Sequence, residues 1–146
     1  MLRSIYIFFF ITILFLPSCS KDDDDVIFEI NLIDTFPLEI VEFQENIYVK
    51  VFYQHPQGYL GFSDPDYLSL EVKDSRLSQP DYYHVIPITP PNNSLSITGE
   101  LLVEIDSPFI FGNGLIELVN FTIRIQDQNL VWSNAITTPN ISVNKQ

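Results

Sequence analysis

The stretch "SLSITGELLVEID" changes character at every second residue. Leu95, Ile97, Leu101, Val103 and Ile105 fall on one side, and Ser96, Thr98, Glu100, Leu102 and Glu104 on the other. A helix brings together residues three and four apart, whereas an extended chain sorts alternate residues onto opposite faces. "YLSLEVK" repeats the rhythm, with Leu68, Leu70 and Val72 set against Ser69, Glu71 and Lys73. "ELVNFTIRIQ" places Val119, Phe121, Ile123 and Ile125 inward, and "NIYVKVFY" does the same with Ile47, Val49, Val51 and Tyr53. No window carries a helical stripe, so the pattern predicts half-buried antiparallel strands rich in β-branched and aromatic residues.

Turn-forming clusters separate these runs: "HPQG", "SDPD", "TPPNN", "SPF", "GNG" and "DQN". Strands are expected near 26–33, 38–43, 46–54, 67–73, 82–88, 94–106, 115–126, 130–133 and 135–143. Asp127, Gln128 and Asn129 are expected to turn a hairpin between two of them. Many short strands joined by turns mean a sandwich or a barrel. The fold class expected is all-β: a single antiparallel immunoglobulin-like β-sandwich over 26–146. Trp132, the only tryptophan, fits a core or edge anchor.

The first 25 residues follow other rules. Arg3 precedes an apolar run from Ile5 to Leu16, interrupted only by Thr12. A bilayer-spanning helix needs about 20 such residues, so the run matches the apolar region of a secretory signal peptide. It ends in Leu16-Pro17-Ser18-Cys19, which resembles a bacterial lipobox, where cleavage precedes a cysteine that takes a diacylglyceryl group. Residues 1–18 are then a lipoprotein signal peptide and Cys19 the lipidation site. Each buried methylene contributes about 0.8 kcal/mol, so one acyl chain anchors marginally and two or more anchor firmly. Ser20, Lys21, Asp22, Asp23, Asp24 and Asp25 follow. Adjacent like charges resist packing, so 19–25 reads as a solvated tether. The same six residues resemble the export signal of Bacteroidota surface lipoproteins, which implies an outer-membrane, surface-exposed location.

Further along, "GYLGFSDPDYLSLEVKDSR", "YYHVIPITPPNNSLSITGELLVEI", "SPFIFGNG" and "FTIRIQDQNLVWSNAITTPNISV" resemble a group of small Bacteroidota lipoproteins with immunoglobulin or fibronectin type III-like domains. The resemblance covers most of the chain beyond Cys19 and implies the sandwich fold, but no activity. Members often carry an Asp-Gly-Asp loop where this chain reads "HPQGYLGFSDPD", a departure that weakens any metal site carried over from the likeness.

The residues themselves offer little reactive chemistry. The single cysteine allows no intrachain disulfide. Nineteen acidic against seven basic residues give a net charge of −12, which repels nucleic acid. There is no G-x-S-x-G elbow, no phosphate-binding glycine loop and no cofactor motif. His55, before Pro56, is expected in a turn, and His84 in a strand. Asp64 and Asp66 flank Pro65 and are weak calcium candidates, with Asp74 or a backbone carbonyl as a further ligand. Tyr59, Phe62, Phe109 and Phe111 stand in or beside loops, where amphipathic rings suit contact with protein or glycan. The expectation is a membrane-anchored, non-catalytic binding or accessory module, with no cofactor and no nucleic-acid partner. The alternatives are an envelope spacer without ligand and, third, a hydrolase.

Overall fold

A computed structural model describes residues 26–88 and 95–146. The signal segment, Cys19, the tether through Asp25 and the "TPPNN" turn lie outside the described residues. Within them the chain forms ten strands and no helix: β1 Glu29–Phe36, β2 Glu39–Val41, β3 Ile47–His55, β4 Leu70–Asp74, β5 Asp81–Tyr83, β6 Ile97–Ile105, β7 Ile116–Val119, β8 Phe121–Ile125, β9 Ile136–Thr137 and β10 Ile141–Asn144. They make three sheets, ordered β1-β3-β6, β2-β10-β7 and β5-β4-β8-β9. The pairing is antiparallel except between β2 and β10. The fold is therefore all-β and sandwich-like.

Alternation builds the core. Ile47, Val49, Val51 and Tyr53 of β3 are buried, and so are Val119, Phe121, Ile123 and Ile125 along β7 and β8. Ile30, Leu70, Val72, Val103, Ile105, Ile141 and Val143 join them in one continuous cluster. Burying one such side chain contributes roughly 1.5–3 kcal/mol.

The structure corrects several expectations. The sheets are not purely antiparallel, because β1 and β2 pair with different partners on either side of Pro37. Proline has no N–H to continue a ladder. Beyond it, β2 runs parallel to β10. The strand expected over 38–43 stops at Val41, and Phe43 occupies a turn with φ of 62°. The strand expected over 82–88 is β5 alone. It ends at Tyr83, and residues 85–88 instead bond the 60–62 loop, through Phe62 N–H to Val85 O at 3.0 Å and Ile88 N–H to Leu60 O at 2.9 Å. No strand forms over 130–133. The turn after β8 does form, but the Asp127 carboxylate holds the N–H groups of Asn129 and Val131 at 2.9 and 2.7 Å, and only one bridge, Gln126 to Trp132, follows. Strand 115–126 divides at Asn120 into β7 and β8. Ser69 and Glu71, expected outward, are buried, while Leu68 is exposed.

One lateral side is sealed. The Asn134 side chain donates to Ile30 O and accepts from Ile30 N–H, both at 2.8 Å, standing in for a strand beside β1. The opposite side leaves a groove of about 430 Å³ between β6 and residues 83–88.

The sandwich has two distinct ends. Residues 26–28 lead into β1 beside Gln54 and His55, with the Phe28 ring 4.8 Å from that of His55. We call this the proximal end. The distal end holds Phe36, Ile47 and Ile105, where β1 leaves its sheet and β3 begins.

Gly99 sits where Tyr53 crosses its face. A Cβ there would run into the Tyr53 hydroxyl and ring, and that ring is buried. At Gly112 a Cβ meets nothing. Gly99→Ala should lower the unfolding free energy by about 1–3 kcal/mol, and Gly112→Ala should change it by less than about 0.5 kcal/mol. Urea denaturation of the two variants measures both.

Candidate functional site

The proximal end is closed by polar side chains. His55 is the last residue of β3 and only 2% exposed, not in an open turn as expected. Its Nδ1 accepts the N–H groups of Gln57 at 3.1 Å and Tyr59 at 3.4 Å. The ring proton is therefore on Nε2, which donates to Asp127 Oδ2 at 3.1 Å. A general base needs a free nitrogen facing a nucleophile. Both nitrogens here are spent on structure, so this histidine–aspartate pair ties the 56–59 loop to the 127–131 turn. His84 lies just beyond β5, half-buried, with Nε2 donating to Phe62 O at 2.7 Å.

The expected site residues divide between the two ends. Tyr59 and Phe62 are half-buried at the proximal end. Phe62 stacks on Tyr67 at 3.9 Å, and the Tyr67 hydroxyl donates to Gln126 at 2.8 Å. These rings close the sandwich. Asp64 and Asp66 are exposed beside them, and the Asp64 carboxylate accepts the Asp66 N–H at 3.0 Å in a local turn. Asp74 is not their neighbour in a ligand set, because it forms a two-toothed pair with Arg76, the closest contact being 2.6 Å. Among the described residues no three His, Cys, Asp or Glu side chains converge.

Phe109 and Phe111 belong to the distal end, and there they join a ring that sequence reasoning had placed in a strand. Phe43 stacks on Phe109 at 5.3 Å, and Phe109 meets Phe111 edge to face at 5.0 Å. The three are 65%, 43% and 45% exposed. Phe43 takes a positive φ, a sparsely populated conformation for a bulky residue that Leu130 also adopts in the turn after β8.

The loop carrying these rings is pinned by side chains reaching its backbone. Asn46 accepts the N–H of Ser107 at 3.1 Å, Glu42 that of Ile110 at 3.1 Å and Glu117 that of Phe111 at 2.8 Å. Arg76 donates to Phe109 O at 2.8 Å and lies 4.1 Å from the Phe111 ring centroid. Burial opposes the charge on Arg76, but Asp74 and Glu117 outweigh it and hold its pKa above the ordinary value. The rings are thus held in place before anything binds.

Beneath them the two layers part into a cleft of about 270 Å³. Its lining includes Asp81, Tyr83, Asp106, Ser107, Phe109 and Phe111. Neither Asp81 nor Asp106 forms an ion pair among the described residues. Burial first, then the negative charge of Asp81 and Asp106, pushes the Tyr83 hydroxyl pKa up. The Ser107 hydroxyl is buried without a partner among the described residues. Phe43, Asp81 and Asp106 were missed from sequence. The only available signal was a phenylalanine alone among polar neighbours in "EFQEN".

A second polar cluster explains the buried Glu71 on the outer face of β4. Its carboxylate accepts from Arg124 Nε at 2.8 Å and a terminal nitrogen at 2.7 Å, and from the Tyr82 hydroxyl at 3.0 Å. The Arg124 guanidinium lies 4.6 Å from a Trp132 ring centroid, so the tryptophan is the edge anchor expected.

Protein-family models, curated proteins and solved structures yield no match to this chain. Its function is therefore argued from its own residues.

The Arg124 hydrogen bonds hold the Glu71 carboxyl below the ordinary carboxylate range, with burial opposing them. A carboxyl depressed in the folded state stabilises above its unfolded pKa, and that contribution is lost as pH falls through the folded one. Glu71→Gln should therefore cost about 1–3 kcal/mol at neutral pH. The gap to the parent protein should close as pH drops below the carboxylate range, as read by denaturant unfolding across pH.

Proposed function

We propose that this chain is a lipid-anchored, non-catalytic surface module. Its immunoglobulin-like sandwich presents the Phe43–Phe109–Phe111 end for contact with a partner. The observation that carries this reading is polarity. Residues 26–28, continuous with the tether, enter at the proximal end, and the exposed rings stand at the other. A protein held through Cys19 then points its rings away from the bilayer.

Strand order supports the immunoglobulin or fibronectin type III reading. β1, β3 and β6 make one layer. β5, β4, β8 and β9 make the other, with β7 and β10 continuing β8 and β9 beyond short interruptions. β2, parallel to β10, carries the chain from the first layer to the second. The outer-membrane, surface-facing address rests on the signal-like run, Cys19 and the Ser20–Asp25 stretch. Large exposed apolar patches on small proteins mark interaction sites. Leu115 and Ile116, both exposed, extend the distal one. This patch favours a binding module over a spacer, whose surface has no reason to hold rings out.

Cys19→Ala should move the protein from the membrane to the soluble fraction. Retention in washed membranes contradicts lipid anchoring. Replacing Lys21 and Asp22 through Asp25 with neutral residues should reduce its cleavage by protease added to intact cells. Unchanged cleavage reduces those residues to a spacer.

A further inference from the structure

We propose that the distal cleft receives a lysine or arginine side chain from a basic segment of a partner protein. The inference rests on the distal end being the binding end, and it names what that end recognises.

Charge decides the class. Every basic group at the cleft is already committed. Arg76 spends its donors on Asp74, Glu117 and the Phe109 carbonyl, and its flat face on Phe111. Two carboxylates of its own chain already neutralise it, which leaves little attraction for a phosphate or a further carboxylate. Asp81 and Asp106 stand at the same cleft with no cation beside them. An incoming ammonium or guanidinium meets two uncompensated carboxylates and the negative faces of phenylalanine rings, the surroundings that favour a cation. The net charge of −12 acts at longer range and draws basic partners toward the surface.

Geometry adds specificity. Side chains pin the backbone from Ser107 to Phe111 at four points, so the rings need little ordering on contact. Phe43 sits at positive φ, and its ring stacks on Phe109. The Phe109 and Phe111 rings, which line the cleft, then cover the apolar stem of a long basic side chain while its charged head reaches Asp81 and Asp106. A second copy of this chain is a poor occupant. Lys50, Arg76 and Arg124 are each paired with a carboxylate of their own chain; Lys73 and Lys145 form no ion pair among the described residues, but two surfaces of net charge −12 repel.

The test titrates full-length protein in neutral detergent with hexalysine and, separately, with the neutral sugar cellohexaose, by calorimetry at low salt. Hexalysine should bind. The double variant Asp81→Asn, Asp106→Asn should weaken it by about fivefold or more, and so should Phe109→Ala. Asp64→Asn with Asp66→Asn, at the other end, should leave it unchanged. Melting curves confirm that each variant is folded, and Asp106→Lys alone serves if the double variant is not. Equal losses from the proximal and distal pairs reduce binding to bulk charge and overturn the proposal. Cellohexaose binding that depends on Phe109, without hexalysine binding, overturns the cation class but keeps the distal end as the binding end. If no titration depends on Phe109, the distal-end reading fails as well.

Discussion

A strand has two faces, and a two-layer sandwich can dry only one of them. In this chain the dry faces are those of β3 and β8. Their isoleucines, valines, Tyr53 and Phe121 meet in one core with the inner residues of β1, β4, β6, β7 and β10. Burial of that set is what makes the fold worth its loss of chain entropy. It also dictates where everything else must go. The layers have open ends and open sides, and each opening exposes core atoms unless loops or side chains cover it.

The openings are treated differently. Asn134 seals the β1 side by mimicking a strand. The proximal end is sealed by the buried His55–Asp127 pair and by stacked Phe62 and Tyr67. At the distal end the chain has the same materials, aromatic rings and paired charges, yet leaves the rings outside. Arg76 and three acceptor side chains fix the ring-bearing loop instead of folding it inward. On the proposed reading, the end left open is where a partner is met. With a lipid anchor at the closed end, the open end becomes the surface available to a partner. If Cys19 carries the proposed lipid, the seven residues 19–25 span no more than about 25 Å and would keep the proximal end close to the bilayer.

Much of this was legible beforehand, and the reason is local. β3, β6 and β8 each have a single buried face, so their alternation reports their orientation directly. β4 defeated the same reasoning. Its outer face is covered by Arg124, Tyr82 and Trp132, so Glu71 is polar in type and buried in fact. Breaks in the ladder were hidden where a backbone group finds a side chain or a loop instead of a strand, as at Asp127 and at residues 85–88. The candidate site was half legible. "SPFIFGNG" advertised Phe109 and Phe111, but their meeting with Phe43 and with the carboxylates of Asp81 and Asp106 depends on pairing between distant segments. Tyr59 and Phe62 looked the same in sequence and turned out to be closures.

The central claim is directional: lipid at one end, rings at the other. Full-length membrane-extracted protein carrying Gln57→Cys at the proximal end or Gly112→Cys at the distal end can take a fluorophore on the introduced thiol, since the proposed lipid would occupy the sulfur of Cys19. In liposomes containing nitroxide-labelled lipids, fluorescence at position 57 should be quenched more strongly than at position 112. Stronger quenching at 112 would show that the rings face the membrane, and equal quenching that the domain has no fixed direction; either contradicts the account.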